Sequence, residues 1–186
     1  MVGQRKFFSP WLTSLLVVAV LAVGALPGAA RADEFGDGAR KFIEAFTQEA
    51  IDMLTGQNIS KAQRADRFRT LMKNNFAMKG IAKFVIGRHW RKASDAEKAE
   101  YLDLFEDLMV ATYANRFEKY SGKRLLIKRV EVRNKKDALV YTTMVKAKDG
   151  TKPLKVDWRM RQKAGVYTII DVMVEGISMI MTQKSE

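Results

Sequence analysis

The chain has 186 residues, 47% of them hydrophobic, and a formal net charge of +12. It contains no cysteine and a single histidine, which excludes disulfides, thiolate nucleophiles, cysteine-based zinc sites and lipid attachment at an N-terminal cysteine. The length suits one domain with its own core.

Residues 1–32 read as a secretory signal. Arg5 and Lys6 form a positive n-region, and Trp11 to Val23 is an apolar run too short to span a bilayer. Gly24, Pro27 and Gly28 interrupt it, and Ala30-Arg31-Ala32 is an A-x-A processing site, so the mature chain is expected to begin at Asp33. The competing reading is an uncleaved membrane anchor, against which the shortness of the run argues. Arg5, Lys6 and Arg31 leave with the signal, which takes the charge from +12 to +9. So basic a chain would ordinarily suggest nucleic acid. Export to the periplasm removes that partner and leaves phospholipid headgroups, lipopolysaccharide and acidic protein faces.

Residues 33–186 read as one domain, helices first and strands after. Asp37 to Leu54 carries Ala39, Phe42, Ile43, Phe46, Ala50, Met53 and Leu54 at helical spacing. Ser60 with Gln63 is a capping box that opens a second helix with a thin apolar side of Ala65, Phe68, Leu71 and Met72. Phe76 to Ile86 is a short apolar helix ending at Gly87, and His89-Trp90-Arg91-Lys92 follows. Ser94 and Glu97 form a second capping box, and the helix it opens is expected to reach about Tyr120. Tyr101, Leu104, Phe105, Leu108, Met109, Thr112, Tyr113 and Phe117 form its apolar stripe.

After Gly122 the period changes to two. Leu126, Val130 and Val132 mark a first strand, and Asn134-Lys135-Lys136-Asp137 a turn. Leu139 to Lys148 is a second strand, closed by Asp149-Gly150. Leu154, Val156, Trp158 and Met160 alternate with charged residues in a third. Val166 to Val174 is the fourth, ahead of a bend at Glu175-Gly176. Short loops between consecutive strands predict an α+β fold: a four-stranded antiparallel meander with the helices on its concave apolar face.

Catalytic chemistry is thin. His89 has no second histidine to share a metal, and no glycine-rich phosphate loop follows a strand. Ser178 lies in Glu175-Gly176-Ile177-Ser178, which is a bend and not a nucleophile elbow. Asp157 and Asp171 fall on neighbouring strands. Asp171, placed by alternation in phase with Tyr167 and Ile169, reads either as a structural carboxylate or as the general base of a small pocket enzyme. The many Met, Phe, Val and Ile residues make either an ordinary core or a pocket, and composition alone does not separate these.

Phe84-Val85-Ile86-Gly87-Arg88-His89-Trp90-Arg91, the capped helix ending Ala111-Thr112-Tyr113-Ala114, and Asp171-Val172-Met173-Val174-Glu175-Gly176-Ile177-Ser178-Met179 resemble the MlaC family of periplasmic phospholipid-binding proteins. The resemblance runs from about Phe42 to Lys184. It implies a sheet-and-helix cone enclosing an apolar pocket for acyl chains, with no cofactor and no catalysis. It implies a soluble carrier that moves phospholipid between an outer-membrane lipoprotein–porin complex and an inner-membrane ABC transporter with its substrate-binding subunit, maintaining outer-membrane lipid asymmetry. A hopanoid or other polycyclic lipid is the alternative cargo. The family pattern continues past the position of Glu186 with an aromatic residue and a further helix, so either the protein is short or the sequence stops before its end, and a missing helix would leave the pocket mouth less covered.

The apolar stripes nominate Tyr113, Phe117, Val140, Val156, Trp158, Met160, Ile170 and Val172 as the pocket lining. Met144, Met160 and Met173 are expected to act as flexible fillers. Lys and Arg side chains near the mouth are expected to meet the lipid phosphate, although the sequence does not say which. The processing site yields a direct expectation: protein recovered from the periplasmic fraction has an intact mass that starts at Asp33. Retention of residues 1–32 in that fraction contradicts the reading.

Overall fold

The computed structural model describes residues 27–56, 58–116, 123–134, 136–146 and 152–185, the side chains of 27–33, 146 and 185 excepted. Helix α1 spans Pro27–Leu54 and so begins inside the segment expected to be removed on export. Helices α2 (Lys61–Asn75), α3 (Met78–Ile86) and α4 (Asp95–Tyr113) follow, with a 3₁₀ turn at Gly87–Arg91 between the last two. Both expected capping boxes form. Ser60 Oγ accepts from the Gln63 amide at 3.1 Å and Ser94 Oγ from the Glu97 amide at 3.2 Å, each reciprocated by the Gln or Glu side chain. Gly87 ends α3 with φ +59°, a left-handed conformation that favours glycine.

Strands β1 (Lys123–Val132), β2 (Asp137–Lys146), β3 (Leu154–Lys163) and β4 (Val166–Val174) make the expected antiparallel meander. A fifth, two-residue strand, β5 (Ile177–Ser178), extends it in the order β1-β2-β3-β4-β5. It leads into a terminal helix, α5 (Met179–Ser185). The turns at Ala164-Gly165 and Glu175-Gly176 hold both residues at positive φ, the two-residue geometry whose twist matches the flanking strands.

Two irregularities reset the alternation of side chains. The β1–β2 register shifts between Ile127 and Arg129. As a result Leu125 and Ile127 share the inner face with Val130 and Val132, while Leu126, which marked this strand in the sequence together with Val130 and Val132, is 42% exposed. A second shift, at Arg159/Met160, leaves Ile170 without a partner on β3. Ile169 and Val172 then pair with Met160 and Trp158 on the inner face. Asp171 pairs with the exposed Arg159, out of phase with Ile169 and contrary to strict alternation.

Helix α1 covers this inner face. Ala39 and Ile43 are fully buried beneath it, beside Val140, Met160 and Ile169. Close approach at its start depends on Gly38, where a Cβ would run into the Tyr167 hydroxyl; that hydroxyl donates to the Phe35 carbonyl at 3.1 Å. Two arginines from α2 satisfy carbonyls at the other end of α1: Arg64 Nε donates to Leu54 O at 3.1 Å and Arg67 to Met53 O at 3.0 Å. The link between α2 and α3 lies along β4, with the Ala77 amide donating to Ile169 O at 2.9 Å, which protects part of that edge.

On the sheet, the buried Asp137 takes a bidentate pair from Arg161 at 2.6 and 2.8 Å. Those hydrogen bonds hold its carboxyl below the ordinary carboxylate value. With a depressed folded-state pKa, the pair's stabilisation is present in full above the unfolded value of about 3.9 and is lost as pH falls through the folded value. Asp137→Asn is expected to lower neutral-pH stability by roughly 1–2 kcal/mol and to flatten the loss of stability below about pH 4. Thermal melts across that range check it, and an acid limb as steep as the parent's contradicts it.

Candidate functional site

The inner face is not packed along its whole length. A cavity of about 510 Å³ lies between the second half of α1, helices α2 to α5, and strands β2 to β5, within the roughly 300–1,000 Å³ range of small-molecule sites. Helix α1 contributes Phe46, Ala50 and Leu54, and α2 contributes Phe68, Leu71 and Met72. Phe105, Met109 and Tyr113 come from α4, and Met144, Val156, Trp158, Val172 and Val174 from the sheet. Apart from Arg116, Asp171, Glu175 and Gln183, every lining residue is apolar or aromatic. Exposed lining residues mark the opening: Arg116 after α4, Glu175 in the β4–β5 turn and Ile177 in β5.

The aromatic wall is fixed by contacts outside the cavity. Trp158 meets Phe46 edge-to-face with ring centroids 5.5 Å apart, and its indole N–H donates to Thr142 Oγ1 at 3.2 Å. The Thr142 hydroxyl in turn donates to the Val156 carbonyl. The polar edge of the tryptophan is thereby satisfied within the sheet, leaving the cavity its apolar surface. Phe76 closes the set against Phe46 at 5.8 Å. Met72, Met78, Met109, Met144 and Met179 supply unbranched, adaptable lining.

Of the residues nominated from sequence, Tyr113, Val156, Trp158 and Val172 border this cavity. Val140 and Met160 are fully buried in the core and do not border it. Ile170, the unpaired residue of the β4 irregularity, is half-buried and likewise outside the lining. Phe117 lies outside the described residues. Of the expected fillers, Met144 lines the cavity, Met160 is core, and Met173 pairs with Asp157 on the other face of the sheet.

Two readings of the stripe on α4 need correction. The helix ends at Tyr113, followed by a 3₁₀ turn over 114–116. Leu104 and Leu108 face solvent, at 60% and 52% exposure, because Phe105, Met109 and Val110 take the buried side.

Sequence reasoning missed the contribution of α5. Met179, Ile180 and Gln183 complete one wall, and Gln183 Nε2 donates to the Tyr113 hydroxyl at 3.3 Å. Asp171 explains why this short helix sits where it does. Its carboxylate accepts from Ser178 Oγ at 2.6 Å and from the Ile180 amide at 3.3 Å, while Ser178 Oγ accepts from the Met181 amide at 3.1 Å. Asp171 and Ser178 together cap the helix. The other candidate carboxylate, Asp157, accepts the Thr142 amide at 3.2 Å. Among the described residues no group of three or more His, Asp or Glu side chains could hold a metal ion. No helix among them is long and apolar enough to cross a membrane.

The family model for the MlaC protein matches residues 44–186, most of the chain. The chain belongs to the MlaC family. Its fold agrees with a solved structure described as the phospholipid-binding protein from Ralstonia solanacearum in complex with a phospholipid. The two superpose with a TM-score of 0.67 over 79% of this chain and 83% of that one, at 16% sequence identity. At that identity the likeness establishes a common fold.

The capping role of Asp171 and Ser178 is open to test. Ser178→Ala removes one donor and one acceptor and is expected to cost about 1 kcal/mol, as loss of a helix cap does. It should also speed hydrogen exchange at the amides of 180–182 relative to the sheet. Exchange in α5 that does not change contradicts the assignment.

Proposed function

We propose that the protein is a phospholipid carrier of the periplasm that takes acyl chains into the cavity between α1 and the sheet. The observation that carries this reading is a cavity of about 510 Å³ whose wall is mostly apolar and whose exposed polar residues, Arg116 and Glu175, stand at the opening. Burying one methylene is worth about 0.8 kcal/mol, so a sixteen-carbon chain crossing water unaided faces a cost on the order of 12 kcal/mol. A carrier lowers that cost by giving the tails an apolar wall while the headgroup stays in water. Family membership and the phospholipid in the Ralstonia solanacearum protein support the same cargo.

Family membership supports a proposed route in which lipid passes between an outer-membrane lipoprotein–porin complex and an inner-membrane ABC transporter, which supplies the energy. The chain's own part is to bind and release. Asp171, the group an enzymatic reading would need, is committed to Ser178 and the start of α5.

Uptake of a fluorescent phospholipid from vesicles tests the reading. Ala50 is 4% exposed and sits on the cavity wall, so Ala50→Trp places a ring where a tail would lie. Exclusion of even two methylenes lowers uptake by at least about tenfold, and a thermal melt near the parent's shows that the fold survives. Undiminished uptake by a folded Ala50→Trp protein removes this cavity as the tail site.

A further inference from the structure

Among the described residues lining the cavity, one carries positive charge: Arg116. It stands in the 3₁₀ turn after α4, exposed at the opening, with its guanidinium 5.0 Å from the centre of the Tyr113 ring. Tyr113 is itself cavity wall, and its hydroxyl is occupied by Gln183. The ring therefore holds the guanidinium by a cation–π contact and leaves the N–H groups free to point elsewhere.

No ion pair joins Arg116 to a carboxylate among the described residues. The two acids of the lining are engaged with backbone or hydroxyl donors. Asp171 holds Ser178 and the Ile180 amide, and Glu175 accepts the Lys155 amide at 2.8 Å. Three cations elsewhere on the helices have partners of their own: Arg69 and Lys73 bind Glu106, and Lys184 lies over the Phe84 ring at 4.5 Å. An arginine with free donors at the edge of an apolar cavity matches a ligand with an anionic oxygen cluster joined to hydrocarbon. Its planar fork suits two phosphate oxygens at once.

We propose that Arg116, steadied on Tyr113, binds the phosphate of a glycerophospholipid whose tails occupy the cavity. This rests on the carrier reading and adds to it the residue that distinguishes phospholipid from the same tails without phosphate. Glycerophospholipid is thereby favoured over diacylglycerol or a neutral polycyclic lipid.

The test compares the parent protein, Arg116→Gln and Arg116→Lys in uptake from phosphatidylcholine vesicles. The vesicles carry either a tail-labelled phosphatidylglycerol or a diacylglycerol with identical tails. The parent is expected to favour the phospholipid. Arg116→Gln should lower phospholipid uptake about tenfold, the worth of an exposed charge-assisted hydrogen bond, and leave diacylglycerol uptake as it was. Arg116→Lys should recover part of the loss, because charge returns without the fork. Arg116 is exposed, so melts of the variants should match the parent.

Equal loss of both lipids in Arg116→Gln, or loss of neither, overturns the assignment and leaves the carrier reading standing. A parent that takes up neither lipid overturns the carrier reading itself. Inorganic phosphate at millimolar concentration is expected not to compete with the phospholipid. Competition would make Arg116 a site for free phosphate and overturn the headgroup role.

Discussion

Phe46 meeting Trp158 edge-to-face at 5.5 Å is the contact on which the architecture depends. It is the point along α1 where packing changes character. On the N-terminal side Phe35, Ala39 and Ile43 are buried against the sheet, and none of them borders the cavity. On the C-terminal side Phe46, Ala50 and Leu54 are just as buried from solvent, yet they face open volume. One helix thus seals one half of the inner face and roofs the other. Gly38 makes the sealed half possible by letting Tyr167 reach under the helix. Interiors are ordinarily close-packed, and an apolar void forfeits dispersion contacts along its whole lining. A cavity of this size stands because its walls are held from behind.

Those supports are polar and lie outside the void. Thr142 fixes the indole of Trp158, Arg64 and Arg67 hold the end of α1, and Asp171 with Ser178 pins the start of α5. No buried side-chain nitrogen or oxygen among the described residues lacks a partner. The hydrogen-bonding capacity is used to build the frame, and the interior offers a ligand little besides hydrocarbon contact. Charge returns at the rim with Arg116 and Glu175, and Arg116 and Gln183 both contact Tyr113. This division suits an amphipathic molecule with tails inside and a polar end in water.

The helices and the first four strands were legible because their signals are local. Ser60–Gln63 and Ser94–Glu97 name their own helix starts, and Leu154 to Met160 alternate without interruption in burial as in sequence. What escaped was non-local or out of phase. Leu126 is apolar and on the expected strand, but a register shift at Lys128 turns it outward. The irregularity at Ile170 likewise resets the phase of Asp171, and no composition rule announces a bulge made of ordinary residues. Leu104 and Leu108 fit an apolar stripe by spacing, yet Phe105, Met109 and Val110 win the buried side. Half of the nominated lining falls on the cavity because Val140 and Val156, or Met160 and Trp158, share one inner face and periodicity cannot tell its packed end from its open end. Met179 to Gln183 were missed because a helix of this length carries little periodic signal.

The account stands or falls on what fills the cavity in the cell. Native mass spectrometry of protein purified gently from cells, paired with lipid extraction, answers this directly. The expected result is a polypeptide carrying bound phospholipid that is released on denaturation. A bare polypeptide that also acquires none from phospholipid vesicles would contradict the account.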